Sequence, residues 1–194
     1  MKTIAKKATS ARAVTAAAIA ALVLQAAALR ALGLPFLCAC GEFKLWEGDV
    51  SSSGLSQQLT DWYSFTHVIH GVLFYLLVWF AAPRLSVSQR FLIALALEVG
   101  WEILENTPFA IRYYRKQALA QGYAGDSIVN SLVDTLTMAL GFFLAWRLPI
   151  LLVVALSAVL EIGVALSIRD NFTLNVLNFI YPFQFIHRWQ SGAL

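Results

Sequence analysis

Long apolar segments occupy most of this chain and constrain its fold more than any other feature. A helix that crosses a membrane needs about 20 mostly apolar residues. Segments near that length cover residues 13–34, 64–82, 88–105, 127–146 and 149–168. A sixth stretch, 172–186, is shorter and contains Pro182, so it is either a tilted span or a re-entrant or interfacial helix. Because lipid cannot satisfy an open sheet edge, we predict an all-α polytopic transmembrane helix bundle.

The composition agrees with one integral membrane domain over residues 1–194. Hydrophobic residues make up 59% of the chain and charged residues 13%, whereas soluble domains carry about 25% charged residues. The net charge of +3 comes from basic residues scattered between the apolar segments, and this distribution does not indicate nucleic-acid binding. The predicted partner is therefore the lipid bilayer, and the sequence specifies no protein partner.

The basic residues predict the orientation of the helices. They precede the first segment, flank the turn between the second and third, and lie in the turn between the fourth and fifth: Lys2, Lys6, Lys7, Arg12, Arg84, Arg90 and Arg147. Under the positive-inside rule these regions are cytoplasmic, which leaves an outer loop at 35–63 and an interfacial segment at 107–125. All eleven acidic residues then lie outside the cytoplasm or in the outer half of a segment. We expect a multi-pass protein of a bacterial inner membrane with a cytoplasmic N-terminus, and a cleaved signal peptide is the alternative for the first segment.

Three motifs stand at the outer ends of these segments: Cys38-Ala-Cys-Gly41, Trp101-Glu-Ile-Leu-Glu-Asn-Thr-Pro108 and Gly125-Asp-Ser127. With them the chain resembles a family of small uncharacterised bacterial inner-membrane proteins of unknown function. The resemblance covers most of the chain after the first segment. It implies a multi-pass location in the inner membrane and no established activity.

A looser similarity is to VanZ-like membrane proteins. It rests on the order of a His, a Glu, an Asp and an Asn, here His67, Glu98, Asp126 and Asn130. It is an analogy at the level of the fold and carries no function by itself.

Cys38 and Cys40 would face an oxidising compartment in the predicted orientation. They could form a disulfide, provide part of a metal site or remain unpaired thiols. The sequence leaves these three alternatives open.

Polar residues recur at helical spacing on four of the segments. Residues three, four or seven apart lie on one side of a helix. His67 and His70 therefore share a face of the second segment, and the third segment has a face with Glu98, Glu102 and Glu105. The fourth segment carries Asp126, Asn130 and Asp134 in this way, and the last stretch carries Asn171, Asn175 and Asn178. At about 1.5 Å rise per residue the stripes reach matching depths. We therefore predict a polar crevice that opens outward and is closed toward the cytoplasm by apolar residues.

Several carboxylates in one crevice require compensation. A divalent metal ion could bind to His70, Glu98, Glu102 and Asp134; Arg112 or Arg169 could act as a counter-ion; or one carboxyl could stay protonated as a general acid. Ionisable residues at membrane depth are functional candidates by default. The candidate catalytic residues are Glu98, Glu102, Asp134, His70, His67 and Asn130.

Basic residues beside the crevice would attract an anionic lipid headgroup. The candidate substrate-binding residues are Arg112, Arg115, Arg169 and Asp126, and we also expect Asp126 to cap the helix that follows it. The remaining acids are expected to have simpler roles. Glu42, Glu47, Asp49 and Asp61 are ordinary loop charges, Asp170 pairs with Arg169, and Glu161 has no assigned partner.

Three functional hypotheses follow. The first is a hydrolase or transferase that acts on a lipid or lipid-linked envelope substrate. The second is a small transporter, which the apolar cytoplasmic halves disfavour, and the third is a non-catalytic envelope or assembly protein. No Gly-x-Ser-x-Gly, P-loop or His-Glu-x-x-His motif supports a named chemistry.

Overall fold

The computed structural model describes residues 10–117 and 119–192, and within these residues it contains eight helices and no strand. The prediction of an all-α polytopic helix bundle is confirmed. The helices are α1 (Ala11–Ala31), α2 (Ser64–Ala81), α3 (Val87–Glu105), α4 (Pro108–Tyr114), α5 (Ile128–Arg147), α6 (Ile150–Ile168), α7 (Phe172–Ile180) and α8 (Gln184–Gln190). Lys2, Lys6 and Lys7, which entered the orientation prediction, lie outside the described residues.

Five long helices lie close to the five predicted spans. Four of them, α1, α2, α5 and α6, are long and apolar enough to cross a membrane. Helix α3 has 19 residues but carries three glutamates in its second half. Local signals set the helix starts: Ser86 and Gln89 form a capping box on α3, and Ser127 caps α5. The expectation that Asp126 caps α5 was wrong, because Ser127 accepts the bond from the Asn130 N–H.

The sixth apolar stretch forms two short helices. Helix α7 has 9 residues and α8 has 7, so each is far shorter than the hydrocarbon core, about 30 Å thick. Gln190, at the end of α8, donates a hydrogen bond to Asp170, which stands just before α7. The stretch therefore leaves and returns to the same end of the bundle, as a re-entrant or interfacial hairpin does.

Helices α2 and α5 form the closest pair in the bundle, because each places a glycine at their contact. A Cβ on Gly71 would overlap the backbone of Met138 and Phe142, and a Cβ on Gly141 would overlap the backbone of Val68. Small residues allow this approach in membrane helices. Helix α3 packs against both partners and against α1, whereas α6 contacts α2 and α5 and is otherwise largely exposed.

Loop 35–63 covers the N-terminus of α5. The carbonyl groups of Pro35 and Phe36 accept bonds from the first two helical N–H groups of α5, and Ser56 accepts from the N–H of Ser127. We call this end of the bundle, which also holds α4, α7 and α8, the site end. Arg12, Arg84, Arg90 and Arg147 lie at the opposite end, whereas Arg30 at the end of α1 and Arg169 at the end of α6 lie at the site end.

Candidate functional site

A buried carboxylate links two histidines at the centre of the bundle. Glu98 of α3 is fully buried. One of its oxygens lies 2.6 Å from His67 Nδ1 and the other lies 3.0 Å from His70 Nδ1. His67 and His70 are three residues apart on α2, so both rings face α3. Glu98 therefore fixes the orientation of both imidazoles, and each Nε2 is left without a bond to Glu98.

Glu102 lies one turn nearer the site end and is also fully buried. Its Oε1 is 3.3 Å from His67 Nδ1, and its Oε2 accepts a hydrogen bond of 2.5 Å from the Ser131 hydroxyl. Ser131 in turn accepts a bond from the side-chain amide of Gln25, whose oxygen accepts from Thr135. A chain of hydrogen bonds thus runs from α1 through α5 to the carboxylates of α3.

Asp134 and Asn130 complete the polar face of α5. Asp134 Oδ2 lies 3.9 Å from His67 Nε2, and its Oδ1 is buried without a hydrogen-bond partner. Both side-chain polar atoms of Asn130 are likewise buried and unpartnered. We define the buried cluster as the five ionisable residues that meet here: His67, His70, Glu98, Glu102 and Asp134.

A cavity of about 640 Å³ reaches this cluster from the site end. Its deep wall contains His67, His70 and Asp134, and Glu105 and Asp126 line it nearer the site end. Trp101 and the α7 residues Val176, Phe179 and Ile180 form an apolar wall. Helix α7 is held across the cavity by packing of Phe179 on Trp101 and by a hydrogen bond from the Tyr113 hydroxyl to the Asn178 carbonyl.

Two carboxyls near the ends of the helices are buried and hydrogen-bonded. Asp126 accepts bonds from Asn106 and Tyr123. Burial raises the pKa of Asp126 to about 6, although these two hydrogen bonds oppose the shift. Burial also raises the pKa of Asp170 to about 6, although hydrogen bonds from Tyr63, the Asn171 N–H and Gln190 lower it. Both groups line the cavity and change charge near neutral pH.

Three of the four predicted substrate-binding residues do not reach the cavity. Arg112, Arg115 and Arg169 are exposed and absent from its walls, whereas Asp126 lines it. Arg115 donates to the Tyr123 carbonyl, and Arg169 donates to the Trp189 carbonyl. Asp170 does not pair with Arg169, since Tyr63, Asn175 and Gln190 donate to it instead. Within residues 10–117 and 119–192, no Lys or Arg forms a salt bridge with the buried cluster.

The grouping of possible metal ligands differs from the predicted set of His70, Glu98, Glu102 and Asp134. Two groups offer ligand atoms within 4.8 Å of one another: His67 with His70 and Glu98, and His67 with Glu102 and Glu105. His67, absent from the predicted set, belongs to both groups.

Sequence reasoning missed several polar contacts. Gln25, Ser131 and Thr135 were not selected, although a lone Gln in an apolar helix was an available signal. Asp61 and Glu47 are not ordinary loop charges, because they are 1% and 5% exposed. Burial raises the pKa of Asp61, and hydrogen bonds from the Tyr63 and Ser56 N–H groups oppose that rise.

Glu161 and the cysteine pair also have definite places. The Glu161 carboxylate accepts bonds from the Phe172 and Thr173 N–H groups and from the Thr173 hydroxyl, and so satisfies the start of α7. Cys38 and Cys40 form a disulfide, the first of the three alternatives for this pair.

Comparison with known proteins identifies the family. The model of the family described as "Protein of unknown function (DUF2585)" matches residues 29–192. The UPF0314 protein of Rhizobium etli (strain CIAT 652) is 50% identical over 157 residues, 81% of this chain and 80% of the relative. The UPF0314 protein of Sphingopyxis alaskensis is 44% identical over 162 residues, 84% of this chain and 86% of the relative.

No solved structure matches the chain. The looser similarity to VanZ-like proteins is not shown by these comparisons. The match over residues 29–192 confirms the resemblance drawn from the motifs, and the chain belongs to the DUF2585 family of proteins of unknown function.

Proposed function

We propose that the protein is a multi-pass inner-membrane enzyme, a hydrolase or transferase that acts on a lipid or lipid-linked envelope substrate. The observation that carries this proposal is Glu98, which orients two histidines in the wall of a large cavity. A buried carboxylate in a membrane helix costs free energy, which makes it a candidate functional residue. Here its two oxygens hold both imidazole rings in place.

The histidines are suited to proton transfer. A carboxylate that accepts a bond from Nδ1–H selects the tautomer with a free lone pair on Nε2. His70 Nε2 is then available to take a proton from an attacking water or hydroxyl and return it to the leaving group. The aromatic rings of Phe74, Trp101 and Phe172 pack against the His70 ring. We assign His70 as the general acid/base.

The cavity walls favour an amphiphilic substrate. One side is polar, with His67, His70 and Asp134, and the other is formed by Trp101 and the apolar face of α7. A lipid or lipid-linked molecule presents the same two parts, a polar head for the deep wall and an apolar chain for the α7 side. Arg112 and Arg115 are exposed outside the cavity, where they would contact anionic headgroups of the surrounding bilayer.

The charge distribution supports an outward-facing cavity. Arg12, Arg84, Arg90 and Arg147 lie at the end opposite the cavity, whereas Arg30 and Arg169 lie at the cavity end. Under the positive-inside rule, the arginines in the short turns at the opposite end favour a cytoplasmic position for that end. We expect a cysteine at Ser53 to react with a membrane-impermeant maleimide in intact cells and a cysteine at Arg84 to react only after lysis. The reverse pattern would refute this orientation.

Turnover is tested with purified protein in liposomes that contain bacterial total lipid and lipid-linked oligosaccharide extracts, followed by mass spectrometry. Wild-type protein is expected to convert at least one component. His70→Gln is expected to slow that conversion by about 100-fold or more, because general acid/base catalysis contributes factors of that size. Asp49→Asn, in loop 35–63 and remote from the cluster, is the matched control and should retain activity.

Two other results would replace this proposal. If wild-type protein converts nothing and His70→Gln instead abolishes recovery of a bound partner protein, the chain is a non-catalytic envelope or assembly protein. Flux of a polar solute or protons into the liposomes would indicate a transporter. The apolar cluster below the polar residues (Ala94, Leu95, Val99, Met138 and Phe142) argues against such a path.

A further inference from the structure

The buried cluster has more hydrogen-bond acceptor atoms than donor hydrogens that could bond to them. His67 Nδ1 carries at most one hydrogen, and at 2.6 Å that hydrogen belongs to the bond with Glu98 Oε1. Glu102 Oε1, 3.3 Å from the same nitrogen, is therefore left without a donor although the residue is fully buried. Asp134 Oδ1 is buried without a donor as well. Unpaired buried oxygens of this kind cost free energy unless something positive meets them.

We propose that a divalent transition-metal ion binds here, at the deep end of the cavity. Its ligands come from three helices, α2, α3 and α5, and are His67, Glu102, Glu105 and Asp134. This proposal deepens the proposed function, since a metal ion at the site would activate a water or polarise the bond to be cleaved.

Distances separate the ligands from their supporting residues. Two atoms bound to one ion by bonds of about 2.1 Å lie roughly 3 to 4.2 Å apart. The distance of 3.9 Å between His67 Nε2 and Asp134 Oδ2 falls in that range. The distance of 2.6 Å between His67 Nδ1 and Glu98 Oε1 does not, so Glu98 is a hydrogen-bond partner of the imidazole and not a ligand.

This arrangement is the usual one around a metal-bound histidine. A ligating imidazole binds the ion through one nitrogen and donates its other N–H to a carboxylate, which fixes the ring. Glu98 supplies that carboxylate for His67. Ser131 does the same for Glu102 by donating to Oε2, which leaves Oε1 for the ion. The position of Glu105 is favourable, because it lines the cavity and its carboxylate lies within 4.8 Å of the His67 and Glu102 ligand atoms.

Charge gives a separate reason for a cation. Glu98, Glu102, Glu105 and Asp134 surround His67, and in the described part of the chain no Lys or Arg pairs with them. Several negative charges at membrane depth repel one another strongly. Protons alone could remove the charge, but a divalent ion would also give Glu102 Oε1 and the Asp134 carboxylate a partner. One imidazole and several carboxylates suit Zn²⁺ or Mn²⁺ better than Cu⁺, which prefers sulfur ligands.

Direct binding tests the proposal. The full chain is purified in detergent, stripped with a chelator and titrated with Mn²⁺, and bound ion is followed by the loss of the free Mn²⁺ electron paramagnetic resonance signal. Zn²⁺ is measured by elemental analysis after gel filtration. We expect one ion per chain for wild type. Glu105→Gln and Asp134→Asn should weaken binding by about 100-fold, while the exposed-loop control Glu42→Gln should bind as wild type.

Each outcome decides the question. Circular dichroism and gel filtration show whether a variant is folded, and Glu105 is partly exposed, so Glu105→Gln should remain folded if Asp134→Asn does not. No binding by wild type, or unchanged binding by folded Glu105→Gln, overturns the metal site. Lipid turnover that persists in metal-free protein overturns the catalytic role of the ion and leaves the enzyme proposal intact. Binding of the ion without turnover supports the metal site and overturns the enzyme proposal.

Discussion

The two halves of α2, α3 and α5 are stabilised in different ways. In the half near the site end, the buried side chains are largely polar, among them His67, Glu98, Glu102, Ser131 and Asp134. In the opposite half, the buried side chains are Ala94, Leu95, Met138 and Phe142, with aromatic rings of Phe91 and Tyr75 packed against Phe142. The same three helices therefore change from hydrogen bonding to close packing along their length.

The difference indicates that the apolar half contributes mainly to stability and that the polar half is suited to function. Lipid is as apolar as a packed core, so helices in a membrane associate through close packing and hydrogen bonds and gain little from the hydrophobic effect. The buried side chains of the apolar half are held by packing. The polar half leaves buried oxygens unpartnered, which lowers stability and makes the half suitable for a ligand.

The largest effect is expected at the boundary between the halves, where α2 and α5 touch. Gly141→Ala places a Cβ into the backbone of Val68, which cannot move as a flexible side chain could. Overpacking against the backbone should lower the free energy of unfolding by more than about 3 kcal/mol. Because it pushes α2 away from α5, it should destabilise the polar and the apolar half together. Reversible unfolding in mixed detergent micelles measures the change.

The matched control is Gly100→Ala on α3. No heavy atom lies within 4 Å of a Cβ there, so the substitution should be neutral or stabilise the helix by up to about 1 kcal/mol. If Gly141→Ala is as stable as this control, the close contact between α2 and α5 is wrong.

The second prediction concerns the apolar half alone. Phe142→Ala removes a fully buried ring that contacts Tyr75, Phe91 and Phe143. We expect the free energy of unfolding to fall by about 3 kcal/mol, because the removed ring leaves a void in the apolar half and its contacts are lost. Mn²⁺ affinity measured under folding conditions should stay within twofold of wild type, because no ligand lies in this half. A parallel loss of stability and affinity would show that the two halves are not separable.

The apolar half is the part that the sequence predicts well. Apolar length locates the long helices, and in this half α3 begins after the capping residue Ser86 and α6 after Pro149, each within one residue of its predicted start. The sixth stretch could not be decided from hydropathy. It is divided at Pro182, and its hairpin depends on the bond between Gln190 and Asp170, a contact that no periodicity encodes.

The polar half is predictable only in part. Spacing along each helix places Glu98, Glu102, His67 and His70 on shared faces, and the structure brings these residues together. Spacing cannot rotate one helix relative to another, so the contact of Gln25 with Ser131 was missed. It also cannot show that Arg115 and Arg169 donate to nearby carbonyl groups, because these bonds depend on how the loops fold.

The third prediction tests the hydrogen-bond chain of the polar half. Ser131→Ala removes the donor to the buried Glu102 Oε2 and one of the two acceptors for the Gln25 amide, which keeps its bond to the Ser131 carbonyl. The expected cost is about 2 kcal/mol, since a buried polar group loses its partner. Ser167→Ala on α6 is the control, because its exposed hydroxyl bonds only to a carbonyl of its own helix and should change stability by less than about 0.5 kcal/mol. Equal effects for the two variants would remove the distinction between the chain and an ordinary surface hydroxyl.

The smallest expected effect is a dependence of stability on pH at the edge of the polar half. Burial raises the pKa of Asp170 to about 6 from its ordinary value of 3.8. The folded state therefore holds a proton between pH 4 and 6 that the unfolded state releases, so the stabilisation is complete below about pH 4 and is lost as the pH rises through 6. Between pH 5 and pH 6 the loss is about 1 kcal/mol.

Asp170→Asn should flatten this dependence, because an amide does not titrate. The bonds from Tyr63 and Gln190 join Asp170 to the chain on both sides of the cavity, so the effect should be concentrated in the C-terminal hairpin. Hydrogen exchange of the α7 and α8 amides at pH 5 and pH 6 measures it, with α5 amides of the apolar half as the internal reference. Faster exchange at pH 6, after correction for the intrinsic rate, is expected for wild type and not for Asp170→Asn. The same pH response in both proteins would mean that a group other than Asp170 controls the stability of the hairpin. The protonation of Asp170 would then have no effect on α7, the helix that covers the cavity.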